Sequence, residues 1–395
     1  MNMQYRTNPK NGDQLSALGL GCMRFPRKGV RLDQEKTTGM VKAAIAHGVN
    51  YFDTAYIYPG SEEALGTALH DTGLRDKVKI ATKLPLVLCK NSADFDKYFN
   101  RQLARLKTDR VDYYLMHMLC DTGRWELLKS MGIIEWIRRQ KSQGKIINLG
   151  FSYHGGRHEF LQLIDAYDWD FCMIQYNYLD EHNQAGKSGL QYAAQKGLPV
   201  FVMEPLRGGM LANALPKAAA EIFASSGKGR TAVQWGLRWV WDQPEVTLLL
   251  SGMGDITQIE QNCAAAAESS AGCLSDAERE AYPRAVKAIN RATKVPCTAC
   301  GYCMPCPANV DIPTCLSCYN ESHGKYVDGM RHYFMNTGAI SSKQSNASKC
   351  IDCGKCEEHC PQSIEIRSQL KKVRRRLESF WYRPLGAVAR KFMKV

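Results

Sequence analysis

Between residues 18 and 251 the chain alternates short apolar runs with segments whose apolar residues return every three or four positions. The short runs read as strands: Leu18 to Met23, Val49 to Phe52, Val78 to Lys83, Val111 to His117, Lys145 to Ser152, Phe171 to Gln175, Pro199 to Met203 and Val246 to Ser251. The intervening segments read as helices. Asp33 caps one that runs to about His47, and a second covers Glu62 to His70. Phe95, Phe99, Leu103 and Leu106 share the face of a third, and Ile134 to Gln143 is a fourth. Helical periodicity returns around Phe160, Tyr192 and Trp235. Eight strand–helix units predict an α/β fold, a (β/α)8 or TIM barrel. A doubly wound sheet is the structural alternative. Against it, Gly19-Leu20-Gly21 is followed by Arg24 where a dinucleotide fingerprint needs its third glycine.

A parallel barrel brings the C-terminal ends of its strands to one mouth. Three successive strands end on Asp53, Lys83 and His117, with Tyr58 just beyond the first. Pro59 and Gly60 then turn the chain. Ser61 is expected to N-cap the next helix, with Glu62 and Glu63 in its first turn. The four mouth residues suit carbonyl reduction. A hydride added to a carbonyl carbon leaves an alkoxide that needs a proton. A phenol with an ordinary pKa of about 10 donates it only if its phenolate is stabilised. A lysine ammonium does that, an aspartate keeps the lysine charged, and a histidine steers the carbonyl oxygen. The order and spacing of Asp53, Tyr58, Lys83 and His117 resemble the aldo-keto reductases over roughly the first 280 residues.

That resemblance implies a nicotinamide nucleotide, NAD(H) or NADP(H), and places its contacts. Ser152 and Gln175 match positions that hold the carboxamide, although Tyr153 replaces the asparagine that follows the serine. Met203 stands where a tyrosine stacks on the nicotinamide. Leu206 and Gly208 lie in the pyrophosphate-side loop, Glu204 to Leu211. Ser251 to Asn262 matches the adenosine site and keeps Asn262, but Gly252 and Gln258 occupy the positions of its 2′-phosphate cations. Arg24, in the loop after the first strand, is a candidate for an anionic substrate group, and a solvated side chain is its alternative. Trp125 lies in a second loop, Leu119 to Lys129, expected to shape the substrate site.

Composition adds a second domain. With 395 residues, the chain exceeds one barrel of about 250 to 300 residues. Of its 16 cysteines, ten lie between Cys297 and Cys360. The N-terminus shows no apolar signal region and no run is long enough to span a bilayer, so a cytoplasmic protein is expected. There, clustered cysteines mean metal or redox chemistry rather than disulfides. Cys297, Cys300, Cys303 and Cys306 form C-x2-C-x2-C-x2-C-P; Cys350, Cys353, Cys356 and Cys360 form C-x2-C-x2-C-x3-C-P. These runs resemble a two-cluster ferredoxin, in which the fourth cysteine of each run serves the other cluster. The resemblance implies one [4Fe–4S] cluster on Cys297, Cys300, Cys303 and Cys360 and another on Cys350, Cys353, Cys356 and Cys306. Tandem zinc sites are the alternative. Cys315 and Cys318 are read as buried helix cysteines, with a redox dithiol as the alternative.

The expected organisation is an aldo-keto-reductase-like barrel over residues 1–285, an α+β ferredoxin-like domain over 286–366 and a basic amphipathic tail over 367–395. The net charge of +13 is concentrated in that tail, which holds ten Lys and Arg and one acid, Glu378. Its readings are a solvated helix, docking to an acidic carrier such as a ferredoxin or flavodoxin, or peripheral membrane contact. No nucleic-acid reading module accompanies the charge. The functional expectation is a small-molecule carbonyl reductase whose clusters exchange electrons with a carrier. An electron-transfer or assembly subunit with the barrel as scaffold is the competing reading.

Overall fold

The computed structural model describes residues 2–385 apart from 30, 156, 228, 325, 338, 340–343, 381 and 383. The end of the basic tail, 386–395, and Trp381 within it lie outside the described residues. Two compact units result: 1–206 with 230–278, and 207–229 with the chain from 279 onward.

The first unit opens with a hairpin, β1 (Tyr5–Thr7) and β2 (Gln14–Ser16). The barrel strands are β3 (Leu18–Gly21), β6 (Tyr51–Asp53), β7 (Lys79–Leu84), β8 (Val111–Met116), β9 (Ile146–Tyr153), β10 (Phe171–Gln175), β11 (Val200–Met203) and β12 (Val246–Ser251). A two-residue ribbon, β4 (Arg27–Lys28) and β5 (Arg31–Leu32), follows the first of them. All eight barrel strands pair in parallel and in chain order, and β12 closes on β3. The expected (β/α)8 barrel is therefore the fold.

Tyr51, Ala81, Tyr113, Leu115, Phe171, Met173, Phe201, Leu248 and Leu250 fill the barrel interior. Tyr51, Tyr113, Phe171 and Phe201 meet largely edge to face at 4.9–5.5 Å between ring centroids. The polar N-terminus has a use at this layer. Asn8 Nδ2 donates to the Tyr113 hydroxyl at 3.2 Å, and that hydroxyl donates to Asp13 Oδ2 at 2.7 Å. A phenol buried in the floor is thereby satisfied.

Side chains alternate across a strand, so interior positions recur every second residue. Two residues beyond Tyr51 comes Asp53; two beyond Ala81 comes Lys83; two beyond Leu115 comes His117. Gln175 and Met203 stand in the same relation to Met173 and Phe201. The apolar floor and the polar mouth are consecutive layers of one pattern.

The second unit is helical in its described elements. The long stretch between Cys306 and Cys350 forms the helices Ile312–Gly324 and Tyr326–Asn336. The helix Ile366–Leu377 buries Ile366, Leu370, Val373 and Leu377 in the same apolar cluster as Val310, Ile312, Leu316 and Tyr333. None of the helices among the described residues is long and apolar enough to cross a membrane.

Candidate active site and cysteine pockets

Lys83 is 2% exposed, and its ammonium donates to Asp53 Oδ1 at 2.5 Å and to the Thr54 carbonyl at 2.8 Å. The same ammonium stands 5.3 Å from the centre of the Tyr58 ring. Tyr58 meets the His117 ring edge-on, with centroids 6.1 Å apart. The structure thus gathers all four expected mouth residues. Burial outweighs the attraction of Lys83 and holds the Asp53 carboxyl above the usual carboxylate range. Burial, with Lys83 and His154 beside it, pushes the His117 imidazole well below its ordinary value, so it is neutral at pH 7. A neutral imidazole orients a carbonyl oxygen without competing with Lys83 for a counter-charge.

Ser61 does not cap the following helix. Gly60 holds the cap position at φ 79°, a left-handed conformation that suits glycine, and Ser61 is the first helical residue. The Ser61 hydroxyl instead donates to the Cys22 carbonyl at 2.9 Å and pairs with the Thr54 hydroxyl at 2.8 Å. It thereby ties the Asp53 loop to the first barrel loop. Glu62, also expected only to favour the helix dipole, accepts from Thr82 at 2.6 Å and Gln102 at 2.8 Å and pairs with Arg105. Thr82 is the outward neighbour of Lys83, so this buried carboxylate fixes the strand that presents the lysine.

The expected nucleotide contacts are distributed as follows. The Ser152 hydroxyl accepts from the Met118 amide at 2.9 Å. The Gln175 amide donates to Asp180 at 3.0 Å, and its oxygen accepts from Gln184 at 2.8 Å. Asn177 also donates to Asp180, at 3.1 Å. Sequence reasoning missed this network. Asn177, Asp180 and Gln184 lie beyond the strand end in a loop without periodic signal. Met203 is half-buried against the interior cluster. Leu206 packs on the helix Ala232–Trp241; a Cβ added at Gly236 would meet its Cδ2 at 2.5 Å. Gly208 belongs to the second unit. Gln258 is engaged with Asp255 at 3.0 Å, and Asn262 donates to the Ser251 hydroxyl at 3.3 Å. The stem of Arg24 lies over Gly252, where a Cβ would stand 3.3 Å from Arg24 Cδ. The aliphatic stem of a basic residue from the first barrel loop therefore packs on a position whose own residue carries no charge. Trp125, expected in a loop, is a fully buried packing residue of the helix Thr122–Ser130, its ring tilted against Trp169 and edge-on to Tyr167.

In the second unit, Cys297, Cys300, Cys303 and Cys360 line one small pocket with Ile312, Leu316 and Ile364. Cys306, Cys350, Cys353 and Cys356 line another with Ile312 and Leu370. Each pocket takes three cysteines from one run and one from the other. Among the described residues, no three His, Cys, Asp or Glu side chains converge as a single ion requires. Four thiols set around a pocket fit a cubane, whose corners hold the ligands apart. Cys315 and Cys318 lie in neither ring. Both are buried in the helix Ile312–Gly324, where burial pushes the Cys318 thiol up to about 12.

A closed parallel barrel with a buried Lys–Asp pair, a tyrosine and a neutral histidine at its mouth defines a barrel oxidoreductase with a cysteine-rich appendix. Residues 17–271 match the aldo/keto reductase family, and residues 296–365 match a 4Fe-4S dicluster domain. The chain belongs to the aldo/keto reductase family, and it carries an iron–sulfur dicluster domain. It is similar to methylglyoxal reductase YeaE of Escherichia coli (strain K12), with 29% identity over 66% of this chain and 89% of that protein. It is similar as well to L-galactose dehydrogenase of Arabidopsis thaliana, with 25% identity over 67% of this chain and 89% of the other. Among solved structures, a Klebsiella pneumoniae aldo/keto reductase in complex with NADP and acetate matches 71% of this chain and 94% of its own, with TM-score 0.57 and 26% identity. An aldo-keto reductase from Bacillus halodurans shares the fold at TM-score 0.60 and 23% identity, over 73% of this chain and 97% of its own.

Proposed function

We propose that this oxidoreductase reduces the carbonyl of a small molecule at the barrel mouth, and that its dicluster domain exchanges electrons with an external carrier. The buried Lys83–Asp53 pair beside Tyr58 carries the first part. Tyr58 donates the proton that the nascent alkoxide needs. Lys83 stabilises the phenolate left behind, Asp53 holds Lys83, and neutral His117 hydrogen-bonds the carbonyl oxygen. A nicotinamide nucleotide, when bound, supplies the hydride. The co-crystallised nucleotide of the Klebsiella relative supports its use here; Ser152, Gln175, Met203, Leu206, Gly208, Gly252, Gln258 and Asn262 would hold it, with the stem of Arg24 lying over Gly252. Cys297, Cys300, Cys303 and Cys360 would hold one cluster, and Cys306, Cys350, Cys353 and Cys356 the other.

Tyr58→Phe tests the acid. It removes the proton donor alone, so carbonyl reduction should be lost while nucleotide affinity is unchanged. Near-normal turnover would refute the assignment.

One observation favours a second reading. Both ends of the Gln175 carboxamide are already bonded, and Tyr153 is buried, which leaves few groups to receive a nicotinamide. Electrons would then reach the substrate from the clusters without a nucleotide. Titration of the anaerobic protein with NADH and NADPH decides between the two.

A further inference from the structure

Among the sixteen cysteines only Cys353 is exposed. It belongs to the ring of Cys306, Cys350, Cys353 and Cys356, and Ile351 beside it is 66% exposed. The four cysteines of the other ring are all half-buried. One-electron transfer falls off steeply with distance, so the ring that reaches the surface is the one a protein partner can approach.

The helix Ile366–Leu377 is anchored to this loop. Arg367 pairs with Glu357 at 2.9 Å, and Lys371 donates to Asp352 at 2.8 Å. Those bonds neutralise the two acids of the loop nearest Cys353 and Cys356. Arg376 turns away, donating to the Ser322 hydroxyl at 2.8 Å and carbonyl at 2.7 Å. What remains is strongly one-signed. Lys349, Lys355, Lys372, Arg374 and Arg375 are exposed and make no ion pair among the described residues, against the exposed acids Glu358 and Glu365. An exposed cluster ligand, an exposed isoleucine and a cationic rim are the parts of a transient electron-transfer interface.

We propose that the loop from Cys350 to Cys356 and the outer face of the helix Ile366–Leu377 form the docking surface for an acidic one-electron carrier protein. The proposal rests on the assignment of the cysteines to clusters made above. One electron leaves the carrier, which is oxidised by one unit, and the cluster that Cys306, Cys350, Cys353 and Cys356 would hold is reduced by one unit; no bond forms or breaks and no proton moves.

The test is equilibrium binding of an acidic [2Fe–2S] ferredoxin to the oxidised holoprotein at low ionic strength, without turnover. The double reversal Lys372→Glu/Arg375→Glu should weaken binding by about tenfold and flatten its salt dependence. Ile351→Asp should weaken it independently. Reversing Lys42 and Lys77, exposed on the barrel, should leave it unchanged. Reduction by small artificial donors should be the same in every variant. Unchanged ferredoxin binding in the double reversal, with iron content intact, would overturn the docking surface while leaving the clusters standing. So would tight binding to anionic vesicles with no ferredoxin binding. Iron-free protein would overturn the underlying cysteine assignment instead.

Discussion

Replacing Lys83 with methionine leaves a carboxylate stranded. Asp53 is 4% exposed, its Oδ1 is bonded to Lys83, and its Oδ2 has no hydrogen-bond partner. Methionine keeps the packing volume but supplies no charge, and breaking a buried pair on one side costs about 3–5 kcal/mol. At about 2–4 °C per kcal/mol for a unit of this size, the barrel should melt roughly 6–20 °C lower. The loss should depend on pH in a definite direction. Burial already raises the Asp53 carboxyl in the folded protein, and removing Lys83 raises it further. A group raised on folding contributes its stability fully below its unfolded pKa and loses it as pH rises through the folded one. The penalty of Lys83→Met should therefore be largest near pH 8 and shrink toward pH 5, as Asp53 takes up a proton. Adding Asp53→Asn should remove the pH dependence and recover much of the stability. Near-UV circular dichroism of the barrel, followed separately from the visible absorbance of the clusters, measures this. A penalty equal at pH 5 and pH 8, or one under about 1 kcal/mol, would refute the buried-pair reasoning.

Iron and sulfide should each approach eight per chain in anaerobically prepared protein, the content of two cubanes, and replacing Cys315 and Cys318 by serine should leave that content unchanged. Loss of iron would make them ligands. His154 is pushed down to about 4 by burial, so its contribution to stability is complete above an ordinary histidine pKa of about 6.5 and is lost as pH falls toward 4. His154→Gln should flatten the acid side of the stability profile, and an unchanged profile would count against the shift. Arg24→Gln should weaken nucleotide binding several-fold, and more for NADPH than for NADH, because its stem lies over Gly252. Equal affinities in the variant and the parent protein would show that Arg24 faces solvent.

The amino-acid sequence by itself determined the barrel, because eight apolar runs separated by helical periods admit few other arrangements. It also made the mouth legible. Strand periodicity is strictly two, so a residue two beyond an interior aromatic such as Tyr51 must face inward as well, and that residue is Asp53. Cysteine spacing identified the second domain for a similar local reason, since cluster ligation imposes short fixed intervals. Tertiary structure decided what depends on two distant segments meeting. Ser61 looked like a helix cap, but Gly60 takes the left-handed cap position and the approach of the Cys22 carbonyl redirects the Ser61 hydroxyl. Gln175 looked available to a cofactor, but its amide is claimed by Asp180 and Gln184 from the following loop. Gly252 looked like a missing cation, until the stem of Arg24 from the far end of the chain came to lie across it. The exposure of Cys353 was equally invisible, because the spacing of a run fixes its ligands but not which of them meets solvent. Periodic, local requirements are written in residue order; hydrogen-bond partners and accessible surfaces are settled only when loops from different strands share one mouth or one face.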